Sequence, residues 1–168
     1  MINQYSNKKD VLKAVAQYGR QLQYACADLK NDKDVVLTAV AQDNGLALAY
    51  ASEYLKNDKE VMLTTIAKGG VALPFASADL RNDKEVMLTA VARNGLQFQY
   101  ASEDLRNDKD FVLTAVAQGG NSFKYASADL RGDEDFVLAS LGINIAIINH
   151  ISPQSITDFT KNNALYEQ

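Results

Sequence analysis

The chain has 168 residues, of which 47% are hydrophobic, and its 17 basic and 21 acidic residues give a net charge of −4. The hydrophobic fraction is near the soluble average, so we expect a packed core rather than global disorder. A mildly acidic chain repels the phosphate backbone, which argues against nucleic acid as a partner.

The sequence also bears on compartment and membrane association. The one cysteine, Cys26, excludes an internal disulfide and suits a reducing compartment. No apolar run reaches the roughly 18 residues that a membrane span needs, and the N-terminus lacks the apolar core of a signal peptide. We therefore expect a soluble, cytoplasmic protein.

One segment recurs along most of the chain. The version NDKEVMLTAVARNGLQFQYASEDLR begins at Asn82, and variants begin at Asn31, Asn57 and Asn107, with starts 26, 25 and 25 residues apart. A fixed period of this size is typical of stacked repeats, each of which buries its apolar face against its neighbours. We predict an all-α fold, an α-solenoid of tandem ~25-residue helix-turn-helix repeats. The units start near residues 6, 31, 57, 82, 107 and 132.

The first helix of each unit has signals at both ends. In the unit at Asn82, the asparagine is the predicted N-cap, Glu85 follows three residues on as in a capping box, and the helix spans about 83–93. Glycines follow at the far end, where a left-handed residue would stop the helix. These predicted stops are Gly45, Gly70, Gly95 and Gly120.

A second helix of about ten residues is expected before the next asparagine. Pro74 places its start near Leu73 in one unit, and near Gln97 in the next, because proline is tolerated in the first turn of a helix. Each second helix ends at a basic residue, which suits the negative end of the helix dipole. These residues are Lys30, Lys56, Arg81, Arg106 and Arg131.

The two ends of the array depart from the pattern. The first unit offers Ser6 or Asn7 as its cap. The sixth starts in step at Gly132 but lacks the turn glycine, so an isoleucine-rich segment is predicted to continue its helix towards His150. Ser152 and Pro153 read as the start of a last helix. We therefore assign residues 6–140 to the repeats and residues 141–168 to a C-terminal helical cap.

The apolar positions predict which helix is buried. The first helix of the Asn82 unit is apolar over most of its circumference, whereas the second presents Phe98, Ala101 and Leu105 to the core, with Ser102 beside them. Since one unit has too few large apolar residues to outweigh its chain entropy, we expect the units to be stable only as an array.

No constellation of residues predicts catalysis, a metal or a cofactor. The acidic junctions lack the ligand and glycine positions of an EF-hand, so capping and solvated charge explain them better. Cys26 stands in a column otherwise filled by serine and is interpreted as a small interior residue. The one histidine, His150, cannot build a metal site alone. The chain is not expected to be an enzyme, although a carboxylate pair among so many acids stays an alternative.

Two sets of residues are candidates for binding a partner. The first lies on the polar strip of the first helix, beside the threonines Thr38, Thr64, Thr89 and Thr114, and consists of Gln42, Lys68, Arg93 and Gln118. The second is an aromatic column on the second helix, formed by Tyr24, Tyr50, Phe75, Tyr100 and Tyr125. For the strip, plain solvated surface is the interpretation that we favour over a recognition surface. The column either packs between adjacent repeats, which we favour, or lines a groove for a partner.

The units follow the pattern D-K-[ED]-x-[VM]-L-T-A-V-A, then G-x-x-[LF]-x-Y-A-S-x-[DY]-L-[KR], from about residue 8 to residue 138. This pattern resembles the repeat called domain of unknown function 4116. The resemblance implies arrays of such repeats, which occur among other places in effector proteins that intracellular bacterial pathogens deliver into host cells. It therefore implies, as the alternative to the cytoplasm, translocation into a host cell without a classical signal peptide. It implies no activity and supplies no catalytic motif.

These observations predict a non-enzymatic scaffold for protein–protein interaction. We expect another protein as partner, with no nucleic acid, no membrane and no cofactor, and we expect a monomer. Two alternatives stay open: an enzyme with an unrecognised carboxylate site, and an RNA-binding array that reads one base per repeat.

Overall fold

A computed structural model of the chain describes residues 6–151 and 153. Within these residues every regular element is a helix, and none is a strand. The α-helices are α1 (Lys8–Gln17), α2 (Ala27–Lys30), α3 (Lys33–Gln42), α4 (Glu53–Lys56), α5 (Lys59–Ala67), α6 (Ala78–Arg81), α7 (Lys84–Arg93), α8 (Glu103–Asn107), α9 (Lys109–Gln118), α10 (Ala128–Gly132) and α11 (Glu134–Ile143). Six 3-10 helices alternate with them: Gly19–Tyr24, Leu46–Tyr50, Leu73–Phe75, Gly95–Tyr100, Gly120–Tyr125 and Ile145–His150.

The chain divides into two compact units, Met1–Thr89 and Ala90–Gln168. In the first, α1 packs on α3 and α3 on α5. In the second, α9 packs on α11, and each 3-10 helix packs on the next. Consecutive repeats therefore stack in order inside each unit. The predicted all-α, tandem-repeat solenoid fold is confirmed.

The second half of each repeat differs from the prediction, because it is not one helix of ten residues. In the Asn82 repeat a 3-10 helix, Gly95–Tyr100, is followed by extended Ala101, with φ −60° and ψ 147°, and only then by the short helix α8. The break is stabilised by Ser102, whose hydroxyl caps α8 by accepting a hydrogen bond from the Leu105 amide at 3.2 Å. Serine favours such capping geometry over a helix interior.

The N-cap of each long helix is the aspartate that follows the predicted asparagine. Asp58 accepts from the Val61 amide at 2.9 Å, and Asp108 from the Phe111 amide at 2.9 Å. The asparagine before each one instead ends the preceding short helix, as Asn57 does for α4. In the first repeat the sequence offered Ser6 or Asn7 as the N-cap, and the structure shows that it is Asn7.

The turn glycines were predicted correctly at one of four positions. Gly45 has φ +87°, in the left-handed region, but in the following repeat Gly69 rather than Gly70 adopts this conformation. Gly95 and Gly120 each begin a 3-10 helix. The helix before Gly95 stops instead at Asn94, which is extended, with φ −156° and ψ 110°. Gly95 is needed for another reason, because a Cβ there would lie 3.1 Å from the Gly119 carbonyl oxygen.

The buried side chains lie on the predicted faces. Val86, Met87, Ala90 and Val91 of α7 are buried, although Ala92 is exposed. Phe98, Ala101 and Leu105 are also buried. In the second unit, a pair of aromatic rings links each repeat to the next. The ring centroids of Phe98 and Phe111 are 5.9 Å apart, and those of Phe123 and Phe136 are 5.8 Å apart.

The sixth repeat keeps the pattern for longer than predicted. Helix α11 ends at Ile143, Asn144 is extended, and a separate 3-10 helix spans Ile145–His150, so the isoleucines do not continue the helix. The Asn144 side-chain amide donates to the Val116 carbonyl oxygen at 3.2 Å and so links this turn to the preceding repeat. Of the predicted cap, residues 152 and 154–168 lie outside the described residues, and the cap stays a prediction.

Candidate functional site

A surface groove of about 410 Å³ lies on the first unit, at the exposed side of α3. It is lined by Asp34, Leu37, Thr38, Ala41, Gln42 and Lys68. Two of the four predicted strip residues, Gln42 and Lys68, therefore meet at one site. The other two, Arg93 and Gln118, are exposed at the ends of α7 and α9 and do not line this groove.

Three threonines of the strip donate hydrogen bonds to their own helices. The Thr38 hydroxyl donates to the Asp34 carbonyl at 2.7 Å, and Thr89 and Thr114 make the same bond to the residue four positions earlier. A hydroxyl that donates to its own backbone has no proton to offer a ligand, although its oxygen still accepts. The polar donors left to the groove are the Gln42 amide and the Lys68 ammonium group.

The aromatic column is neither fully buried nor fully exposed. Tyr24 is 49% exposed, and Tyr50, Phe75, Tyr100 and Tyr125 are half-buried. The Lys124 ammonium group lies 4.8 Å from the centroid of the Tyr125 ring, at cation–π distance. Each ring therefore packs with part of its surface and offers the rest to solvent, and the two interpretations of the column both stay open.

An acidic hollow of about 430 Å³ lies on the second unit beside α8 and α10. It is lined by Glu103, Asp104, Asn107, Ser127 and Asp129. Its three carboxylates are exposed to solvent. Across the described part of the chain, no three His, Cys, Asp or Glu side chains are grouped so that they could hold a metal ion.

Cys26 and His150 take part in local structure. Cys26 is the N-cap residue of α2, half-buried, and its side chain makes no capping bond. The interpretation of Cys26 as an interior residue was wrong, since it is half-buried. The serines of its column cap the short helices: Ser52, Ser77, Ser102 and Ser127. His150 Nε2 lies 3.1 Å from the Asn121 side-chain oxygen, at hydrogen-bond distance.

A ladder of ion pairs links successive repeats, and the sequence analysis did not predict it. The first lysine of α1, α3 and α5 reaches the N-cap aspartate of the next repeat, at 2.7 Å for Lys8–Asp32, 3.0 Å for Lys33–Asp58 and 2.7 Å for Lys59–Asp83. In the second unit Lys109 lies 3.7 Å from Asp133. The recurrence of lysine directly after the cap was the signal in the sequence.

The ladder shifts the titration of its members in the first unit. Burial raises the pKa of the aspartates, but the bonds from the lysines and from backbone amides outweigh it, so the pKa values of Asp32, Asp58 and Asp83 lie below the ordinary 3.8. The carboxylates in turn raise the pKa values of Lys8 and Lys33 above 10.5.

The family model described as Domain of unknown function (DUF4116) matches the chain at residues 7–44, 41–81, 83–131 and 111–154. Together these matches cover most of the sequence. The chain belongs to this family. A search of curated proteins and a search of solved structures each found no match.

The DUF4116 matches agree with the repeats that the structure describes. They extend to residue 154, past residue 140, where the sequence analysis ended the repeats. The 3-10 helix Ile145–His150 is thus part of the matched region. No helix among the described residues of this DUF4116 protein is both long and apolar enough to cross a membrane.

Proposed function

We propose that this DUF4116 protein is a non-enzymatic scaffold that binds another protein, and that the groove on α3 is a contact site. The observation that supports the proposal most directly is the convergence of Gln42 and Lys68, from two successive repeats, on one groove. Leu37 and Ala41 supply its apolar surface. An apolar patch with a few polar groups at its edge is a common composition for a protein contact.

The charges of the groove indicate what kind of segment it accepts. Asp34 shares Lys8 with Asp32, at 3.1 Å and 2.7 Å, so its carboxylate keeps part of its negative charge at the groove. Lys68 is exposed and makes no ion pair in the described part of the chain, so it is the positive charge that a partner meets. We infer a partner segment that places an apolar side chain on Leu37 and Ala41 and a carboxylate or carbonyl oxygen near Lys68.

Proximity cross-linking in a lysate, followed by pull-down, tests the groove. The double variant Gln42→Ala/Lys68→Glu is expected to lose a partner that the wild-type chain recovers, with unchanged helicity. Lys9→Glu is the control: it reverses an exposed lysine outside the groove lining, in a first turn where negative charge is favoured. Equal recovery of the same partner by all three proteins would exclude the groove as the contact site.

The aromatic column is the second proposed contact, and one variant separates its two interpretations. Tyr100 is half-buried, so Tyr100→Ala is expected to lower the melting temperature by several degrees if the ring packs between repeats. Loss of partner recovery at an unchanged melting temperature would assign the column to binding. Thermal unfolding and the same pull-down, done on one preparation, give both readouts.

The proposal extends to where the partner is met. Because arrays of this family occur in translocated bacterial effectors, we propose a host-cell protein as the partner class. A bacterial cytoplasmic partner is the alternative. Parallel pull-downs from host and bacterial lysates discriminate the two. Specific recovery from the bacterial lysate alone would contradict the effector role and leave the scaffold role intact.

A further inference from the structure

At three joints between repeats in the first unit, one aspartate carboxylate both caps a helix and binds a lysine of the preceding repeat. Oδ1 of Asp58 accepts the Val61 amide at 2.9 Å and so caps α5. The same carboxylate binds the Lys33 ammonium group of the preceding repeat, at 3.2 Å from Oδ1 and 3.0 Å from Oδ2. The start of one helix and its attachment to the previous repeat therefore depend on a single charged group.

The arrangement recurs at the other two joints of the first unit. Asp32 caps α3 through the Val35 amide at 3.2 Å and binds Lys8, and Asp83 caps α7 through the Val86 amide at 3.0 Å and binds Lys59. Each lysine also reaches the acid two residues after the cap, at 3.1 Å for Asp34, 2.7 Å for Glu60 and 2.8 Å for Glu85. The same arrangement of lysine, capping aspartate and second acid is therefore found at three separate joints.

We propose that these shared carboxylates make each joint a charge-dependent hinge, at which the start of a helix and its packing on the preceding repeat open together. The charged groups that face Asp58 are Lys33 from the preceding long helix and Glu60 on its own helix. If either Lys33 or Asp58 loses its charge, the ion pair that holds the capping side chain to the preceding repeat is lost. The repeat then begins to separate at that joint, while the other joints keep their own pairs.

Opening of this hinge would also change the shape of the groove on α3. The groove is lined by residues of α3 together with Lys68, which follows α5, so it spans the joint that Lys33 and Asp58 hold. Opening the joint would change the distance between Gln42 and Lys68. The hinge itself does not depend on the groove having a partner.

Amide hydrogen exchange on the full chain tests the hinge. The amides of Val61 and Met62 report on it, since they bond the Asp58 side chain at 2.9 Å and the Asp58 carbonyl at 3.0 Å. Lys33→Met, a change on the preceding helix, is expected to accelerate exchange of these two amides by roughly threefold. Lys13→Met, which removes an exposed lysine outside the ladder, is the matched control and is expected to leave them unchanged.

A second variant and a salt series complete the test. Asp58→Asn removes the charge but keeps a capping side chain, as Asn7 shows for α1, so it is expected to match Lys33→Met, and the double variant to match either one. Wild-type exchange at about 1 M salt should approach that of Lys33→Met, because the screening length falls to about 3 Å. The hinge is overturned if Lys33→Met alters exchange only within α3, or if the two substitutions add.

Discussion

The serine column shows how one side chain can support two repeats. The Ser52 hydroxyl accepts a hydrogen bond from the Leu55 amide at 3.2 Å. It also donates at 2.6 Å to the side-chain oxygen of Asn31, which ends the short helix α2 of the preceding repeat. Ser127 repeats both bonds, with Leu130 and with Asn107, which ends α8. A serine at this position therefore contributes to helix capping and to the stacking of successive short helices.

Replacing Cys26 with serine tests the capping role of this column. Cys26→Ser is expected to stabilise the fold by about 0.5–1 kcal/mol, because serine is a strong N-cap. The opposite exchange, Ser77→Cys, should cost at least as much, since it also removes the bond to Asn57. Urea unfolding of both variants measures the two effects. A destabilised Cys26→Ser protein would show that the thiol contributes by packing.

Gly45 is the position where a side chain should be least tolerated. Its φ of +87° is strained for other residues, and a Cβ would lie 2.9 Å from the Val71 backbone nitrogen. Gly45→Ala is expected to cost more than about 1 kcal/mol. Gly132→Ala is the control, because no atom lies within 4 Å of its added Cβ. Thermal unfolding should show a clear loss for the first variant and none for the second.

At the level of whole elements, the long helices depend on capping carboxylates. Because the pKa values of Asp32, Asp58 and Asp83 are lower in the folded protein than the ordinary 3.8, their charged forms stabilise the fold. This contribution is complete well above pH 3.8 and is lost as the pH falls through the lower folded values. Acid should therefore weaken the helix starts of the first unit.

The predicted pH dependence can be measured directly. The free energy of unfolding is expected to fall as the pH drops below about 4. Asp58→Asn should show a shallower fall, since it removes one of the three titrating groups while keeping a cap. Denaturant unfolding at a series of pH values gives both slopes. Identical slopes for the two proteins would mean that Asp58 does not contribute to acid sensitivity.

For the whole molecule, stability comes from apolar contacts between repeats. Each repeat buries few large side chains, for example Leu48 and Leu55 in the second and Leu73 and Leu80 in the third. Each contributes roughly 1.5–3 kcal/mol by leaving water. The sum over one repeat is smaller than the entropy cost of ordering about 25 residues. A repeat is thus stable only with a neighbour to cover it.

Two truncations test the C-terminal end. Deleting residues 141–168 is expected to cause aggregation, because it removes buried Ile147 and Ile151 along with the predicted cap. Deleting residues 154–168 leaves the described sixth repeat intact and tests only the rest of the predicted cap. Size-exclusion chromatography and circular dichroism compare the two proteins. A monomeric, fully helical product of the longer deletion would show that residues 141–168 are not a cap.

The sequence alone was enough to predict the repeat period, the helical fold and the buried positions. Each is a local or periodic property: Val86 and Phe98 belong to apolar patterns within a single repeat, and Gly45 is a turn residue of its own chain segment. Such signals lie within one repeat or in its recurrence along the chain. They could therefore be read without knowing how the repeats pack.

Only the tertiary structure decided the roles of the polar columns. Ser52 bonds Asn31, Lys33 binds Asp58, and Gly95 lies against Gly119, and each of these contacts joins residues more than twenty positions apart. The groove likewise forms because Gln42 and Lys68 come together from adjacent repeats. Their positions depend on how closely and at what angle the repeats stack. That angle is set by side-chain packing across the joint, which no pattern within one repeat contains.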